Sequence, residues 1–294
     1  MRPRLLIIGC GDVGLRVLKL LAGRWRVCAL TSNPERVAEL RAAGAVALVG
    51  NLDVPASLGR LGGGFHAVLH LAPPASSGAR DVRTRHLLQA LARRGAPTTL
   101  VYASTTGVYG DCGGAHVDET RAVNPQTDRA KRRVDAETQL RTFGRRFGTN
   151  VHILRIPGIY AGDREGGHPR ERLKRGTPVL ARDDDVYTNH IHADDLARAC
   201  ALALWRGLPQ RVVNACDSTD MLMGDYFDLA ADIEHMPRPP RVSRAEAARV
   251  MPAVSMSFLS ESRRISNERL LREIGLVLRY PTVREGLLQS AIID

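Results

Sequence analysis

The strongest constraint on this chain lies at its start, where the apolar run Leu5–Ile8 leads into Gly9-Cys-Gly11-Asp-Val-Gly14. Three glycines at that spacing allow a tight turn, close approach of backbone to a pyrophosphate, and close packing of a following helix on the strand. The helix N-terminus then points its free N–H groups at the phosphates. Gly9, Gly11, Asp12, Val13 and Gly14 are therefore predicted to bind a dinucleotide. With 27 glycines in 294 residues, about 0.2 such matches arise by chance. The weight comes from placement, at the end of an apolar strand and the start of a helix.

The rest of the first half keeps the same rhythm. Apolar runs at Arg26–Leu30, Val46–Val49, Ala67–Leu71, Thr99–Ala103 and Val151–Arg155 read as strands. They alternate with helical patterns at Val13–Leu21, Pro34–Ala43, Val82–Arg94 and Thr127–Phe147, as in a parallel sheet wound with helices. In the longest helix, Ala130, Val134, Leu140, Phe143 and Phe147 trace one stripe, and the arginine-rich remainder reads as solvated. After Arg155 the alternation loosens. A strand (Val186–Ile191), a helix (Ala193–Trp205) and a strand (Arg211–Ala215) resume it, while the prolines of Met236–Arg241 exclude helix there. The fold class is α/β, a Rossmann-type doubly wound parallel sheet with a small C-terminal substrate lobe. Residues 1–155 form the dinucleotide-binding core. Residues 156–294 hold final core elements (about 186–215) interleaved with the lobe.

The end of the second strand bears on which dinucleotide binds. NAD-specific domains usually place an acid there to accept from the ribose hydroxyls. This strand ends Ala29-Leu30-Thr31-Ser32-Asn33, with no carboxylate before Glu35. Thr31 and Ser32 can donate to a 2′-phosphate and Arg36 can pair with it. The expected cofactor is NADP, with NAD as the alternative.

The formal net charge of +11 raises the question of nucleic acid. Only Lys19, Lys131 and Lys174 among 42 basic residues are lysine, which marks a general arginine bias rather than a basic tract. Aromatics are only 4%, too few for an interleaved stacking platform. No nucleic-acid partner is expected. The five cysteines form no CxxC pair and have no histidine cluster beside them, so neither zinc nor disulfides are expected. The opening run before Cys10 has four apolar residues, short of the about 7–15 of a signal peptide. No stretch approaches the ~18 apolar residues of a membrane span. A cytoplasmic location follows as the expectation.

Further segments resemble the extended and atypical branches of the short-chain dehydrogenase/reductase superfamily, of the NAD-dependent epimerase/dehydratase type. Gly50-Asn-Leu-Asp53 is similar to that family's adenine-contacting Gly-Asp-Leu, which implicates Asn51 and Leu52. His70-Leu-Ala-Pro73 sits where the fourth strand meets the cofactor, implicating Leu71, Ala72 and Pro73. Tyr102–Asp111 resembles the fifth strand with its active-site Ser/Thr, which falls on Thr105. Leu154–Tyr160 resembles the stretch along the nicotinamide carboxamide, implicating Pro157 and Gly158. His190–Asp195 and the stretch from Asn267 to Gly286 also match. In related enzymes, arginines of the C-terminal lobe bind the substrate's phosphates, so Arg263, Arg264 and His190 are the substrate candidates. Family dimers pair the helices that begin here near Asp81 and Thr127. Both carry many arginines, so monomer and homodimer both stand.

One departure bears on the chemistry. The family uses Tyr-x-x-x-Lys on the long helix, the tyrosine to move a proton and the lysine to hold the ribose. Here Lys131 fits the lysine, but the tyrosine position reads Thr127, or is lost to a short deletion near Pro125. A threonine hydroxyl does not ionise near neutral pH. Tyr109, Asp111, Tyr160 and His190 border the expected site, and Tyr109 is the leading substitute. Two functions follow from the resemblance. The first is an NADP(H)-dependent oxidoreductase, epimerase or dehydratase on a sugar-like or small carbonyl substrate, possibly nucleotide-sugar-like, with Thr105, Lys131 and Tyr109 at the reaction. The second is a non-catalytic NADP(H)-binding sensor or regulator.

Overall fold

The computed structural model describes residues 2–61 and 63–293. Seven parallel strands form the central sheet: β1 (Arg4–Ile8), β2 (Arg26–Thr31), β3 (Val46–Val49), β4 (Ala67–His70), β5 (Thr99–Thr105), β6 (Asn150–Ile156) and β7 (Arg211–Asn214). Their order is β7-β6-β5-β4-β1-β2-β3, so the chain reverses its direction of travel between β1 and β4. In open α/β sheets, ligands bind at the carboxyl ends of the strands flanking such a reversal.

The strands are apolar on both faces because helices cover both. From β1, Leu5 and Ile7 enter one layer with Val17, Leu18 and Leu21 of α1 (Asp12–Leu21) and Leu196 and Cys200 of α5 (Ala193–Leu202). Leu6 and Ile8 enter the other, with Leu87 and Leu91 of α3 (Val82–Arg94) and Leu140 and Phe143 of α4 (Asp128–Phe147). Between β2 and β3 the crossover is short: a turn at Pro34–Arg36, entered through Asn33, and then α2 (Val37–Ala42).

The second half departs from expectation in one place. The stretch read as a single strand, Val186–Ile191, holds two short strands outside the central sheet. Tyr187–Thr188 pairs with Met221–Leu222, and His190–His192 pairs with Gly158–Tyr160. Around them Tyr160, Leu173, Tyr226, Phe227, Val283 and Leu287 form a separate small core beside α6 (Met223–Ile233). The proline-rich segment leads into Arg241–Val242, which pairs with Val179–Leu180.

The long helix α4 also differs from the simple stripe. Ala130, Leu140 and Phe143 are buried as expected, but Phe147 is exposed, and Arg132 and Glu137 are buried. Partners explain the two charges. Arg132 donates to the Gly78 carbonyl at 2.7 Å. The Glu137 carboxylate accepts from the Ser104 hydroxyl at 2.6 Å, and from Arg155 Nε and Nη2 at 3.1 and 2.8 Å. This charge cluster clamps α4 to β5 and β6, directly below their carboxyl ends. Removing one member of a buried pair leaves the other charge uncompensated, at a cost of about 3–5 kcal/mol. Glu137→Ala should therefore lower the unfolding free energy by about that amount in urea titration; a loss below ~1 kcal/mol would mean that the pair is not holding the helix.

Candidate functional site

The glycine turn sits at the β1/β4 reversal. Gly9 has a φ of +81°, and a Cβ there would lie 2.6 Å from the Ala72 amide nitrogen, so only glycine lets β1 run this close to the end of β4. The Leu71 amide donates to the Ile8 carbonyl at 2.8 Å, which extends the pairing up to the turn. Gly14 packs against Cys10, where a Cβ would come within 3.1 Å of the sulfur. Gly11 faces open space and precedes α1 with no side chain capping it, so the first amides of α1, those of Asp12 and Val13, are free to bind an anion. The Asp12 carboxylate is directed elsewhere: it accepts from Arg16 at 3.1 Å and from Arg164 at 2.8 Å. Arg16 also reaches Asp163 and Asp194, each at 2.5 Å, and ties α1 to the start of α5.

Two cavities lie at the carboxyl ends of the strands. The smaller, about 290 Å³, gathers Gly9, Thr31, Ser32, Arg36, Ala72 and Pro73, with Asn51 and Leu52 beside them. Arg36 is clamped by Glu39 at 2.9 and 3.0 Å. The Thr31 hydroxyl is engaged with the backbone of Asn33, donating to its carbonyl and accepting from its amide, both at 3.1 Å. Ser32 is exposed. The sequence reading missed Arg83, a second cation in this cavity, which is paired with Asp53 and donates to the Pro73 carbonyl. Its distance in sequence from the strand ends gave no signal for it.

The larger cavity, about 560 Å³, lies on the other side of α1, beyond β5 and β6. Thr105, Pro157, Gly158, His190 and Arg263 all line it. Thr105 Oγ1 accepts from the Gly107 amide and so shapes the turn that follows β5. Burial pushes the His190 imidazole down to about 4, so the ring is neutral; it stacks on Tyr226 at 4.3 Å. Arg263 donates to the Gly110 carbonyl and pairs with Glu261, both at 2.7 Å.

Several candidates fall elsewhere. The Tyr109 side chain is buried, its hydroxyl donates to Asn214 at 2.8 Å, and Arg155 lies over its ring, so it packs behind the site instead of entering it. Burial raises its proton affinity further. Arg264 donates to the Gly114 carbonyl and covers Tyr187, outside the cavity. Thr127 lines the cavity, but its hydroxyl accepts from the Ala130 amide and caps α4 from an extended backbone. Lys131 is exposed and pairs with Asp128 at 3.2 Å.

The residues of α4 that do face the site are Arg129 and Arg133. Arg129 lines the cavity and lies over the Phe258 ring. Arg133 donates to the Ala103 carbonyl at 2.6 Å and to the Tyr102 hydroxyl at 3.0 Å, at the end of β5. They are spaced i, i+4, the spacing of a Tyr-x-x-x-Lys pair, shifted by two residues from the register that Lys131 suggested. That spacing was visible in the sequence, but an arginine-rich helix gave no reason to choose this phase.

Comparison with known proteins agrees with this geometry. The chain is 27% identical over 280 residues to GDP-6-deoxy-D-mannose reductase of Pseudomonas aeruginosa, covering 85% of this chain and 88% of the relative. A conserved protein of unknown function from Silicibacter pomeroyi superimposes with a TM-score of 0.82 at 30% identity, over 99% of both chains. An NADPH complex of RMD from Pseudomonas aeruginosa superimposes at 0.72 with 22% identity, over 98% of this chain and 99% of that one. The NAD dependent epimerase/dehydratase family matches residues 5–216, most of the chain, and the protein belongs to that family.

Proposed function

We propose that the protein is an NADP(H)-dependent oxidoreductase, epimerase or dehydratase acting on a nucleotide-sugar-like or small carbonyl substrate. The observation that carries this reading is the placement of the two cavities on either side of the uncapped α1 N-terminus. Pyrophosphate over α1 puts the adenosine end in the smaller cavity, beside Asn51, Leu52, Ala72 and Pro73. The nicotinamide end then enters the larger one, between Thr105 and the Pro157–Gly158 segment. Bound there, the dinucleotide supplies or accepts a hydride. The chain supplies orientation: Arg133 braces the end of β5, Thr105 offers a hydroxyl to the reacting oxygen, and the Gly158 backbone borders the ring. NADP is favoured because no acid ends β2, while Arg36, Arg83 and Ser32 supply donors around the same cavity. The relatives support the substrate class through their names, which describe a GDP-sugar reductase and an NADPH complex.

A second reading, a non-catalytic NADP(H) sensor, is favoured by the fate of the expected proton relay. Thr127 is a helix cap and Lys131 faces solvent.

Mixing the protein with NADPH and a panel of nucleotide-sugars and small keto compounds separates the two. The enzymatic reading predicts loss of NADPH absorbance with at least one of them. Tight NADPH binding without turnover across the panel, together with different protease sensitivity in NADP⁺ and NADPH, would transfer the protein to the sensor reading. Arg36→Ala should reduce the preference for NADPH over NADH by about tenfold. An equal loss for both cofactors would remove the 2′-phosphate assignment.

A further inference from the structure

The larger cavity holds more positive charge than its own carboxylates balance. Arg129, Arg164, Arg172 and Arg263 line it, against one acid, Glu261. Arg164 pairs with Asp12 and Arg263 with Glu261. Arg129 and Arg172 have no carboxylate partner among the described residues. Each guanidinium lies over an aromatic ring instead, Arg129 over Phe258 at 4.6 Å and Arg172 over Phe227 at 4.2 Å. Arg172 donates from Nη2 to the Pro178 carbonyl at 3.2 Å, but its Nε is buried without an acceptor. Burial also lowers its proton affinity, as expected of a desolvated cation lacking a counter-charge.

A guanidinium stays protonated under these conditions and presents its N–H groups in a fork that matches carboxylate and phosphate. Stacking on a ring holds the fork in place and leaves its N–H edge free. Two such groups in one cavity, next to a neutral imidazole and aromatic walls, describe a receptor for an oxyanion on a compact organic body.

We propose that the cavity takes an acidic substrate, whose carboxylate or phosphate oxygens are held by Arg129 and Arg172. Arg129 shares the cavity with Thr105, Pro157 and Gly158, so the substrate's charge lies beside the carbon that reacts. Where the resemblance led us to expect a proton-moving tyrosine, the chain places a fixed cation that binds and orients but does not relay a proton. This rests on the dinucleotide reading only for which carbon reacts. The oxyanion site itself is a property of the chain.

Calorimetric titration with oxamate, and separately with inorganic phosphate, tests the proposal on the full chain with and without NADPH. At least one probe should saturate the wild type. Arg129→Ala should weaken it by about tenfold or more, Arg129→Lys should retain part of the affinity, and Arg145→Ala, an exposed arginine elsewhere on α4, should change nothing. Preference for oxamate identifies a carboxylate, and preference for phosphate a phosphoryl group. Arg172→Ala should reproduce the Arg129→Ala loss; because that side chain is half-buried, the exposed Arg129 decides the case if the Arg172 variant does not fold. Failure of both probes to bind, or binding indifferent to Arg129→Ala, overturns the proposal. Absence of NADPH binding would instead sink the dinucleotide reading and leave the oxyanion result standing.

Discussion

The contact on which the rest depends is the approach of Gly9 to Ala72, where the first strand's turn meets the end of the fourth. A side chain at residue 9 would push the two strand ends apart, and the crevice at the sheet's reversal would lose its floor. Because the turn is so tight, α1 starts directly above that floor with its first amides uncapped. The carboxylate that could have blocked them, Asp12, is drawn aside by Arg16 and Arg164. The positive end of α1 is therefore left open between two cavities, one at the ends of β2 and β3 and the other beyond β5 and β6.

The long helix α4 sets the chemistry on the second side. Its register is fixed from below by the Glu137–Arg155–Ser104 cluster and from its start by the Thr127 cap. With both in place, Arg129 and Arg133 are the side chains brought to the end of β5. A cation that never releases its proton suits binding and charge stabilisation, and a proton exchanged during the reaction must then come from solvent, the substrate or the Thr105 hydroxyl. This separates the present chain from relatives that carry a tyrosine at that spacing, and the altered chemistry is confined to one helical face.

Much of the architecture was legible because it rests on short-range pattern. The strands that flank the glycine turn are apolar on both faces, and their ends carry the residues that line the adenosine-side cavity. What could not be read depends on contacts distant in sequence. His190–His192 joins Gly158–Tyr160, and the Val186–Ile191 run therefore splits instead of extending the central sheet. Arg132 and Glu137 look solvated by composition but are buried because Gly78, Ser104 and Arg155 meet them there. The misplacement of Lys131 is a matter of helical phase. Two residues turn a helix by about 200°, whereas four return it to within ~40° of the start, so Lys131 points to water while Arg129 and Arg133 share a face. Arg164 and Arg172 come from an irregular segment with no period to place them.

The most direct measurement is a crystal structure of the protein grown with NADPH. The account predicts pyrophosphate over the Asp12 and Val13 amides, the 2′-phosphate near Arg36, and the nicotinamide between Thr105 and Gly158. A dinucleotide bound away from the glycine turn, or one whose nicotinamide end does not enter the cavity lined by Arg129, would contradict it.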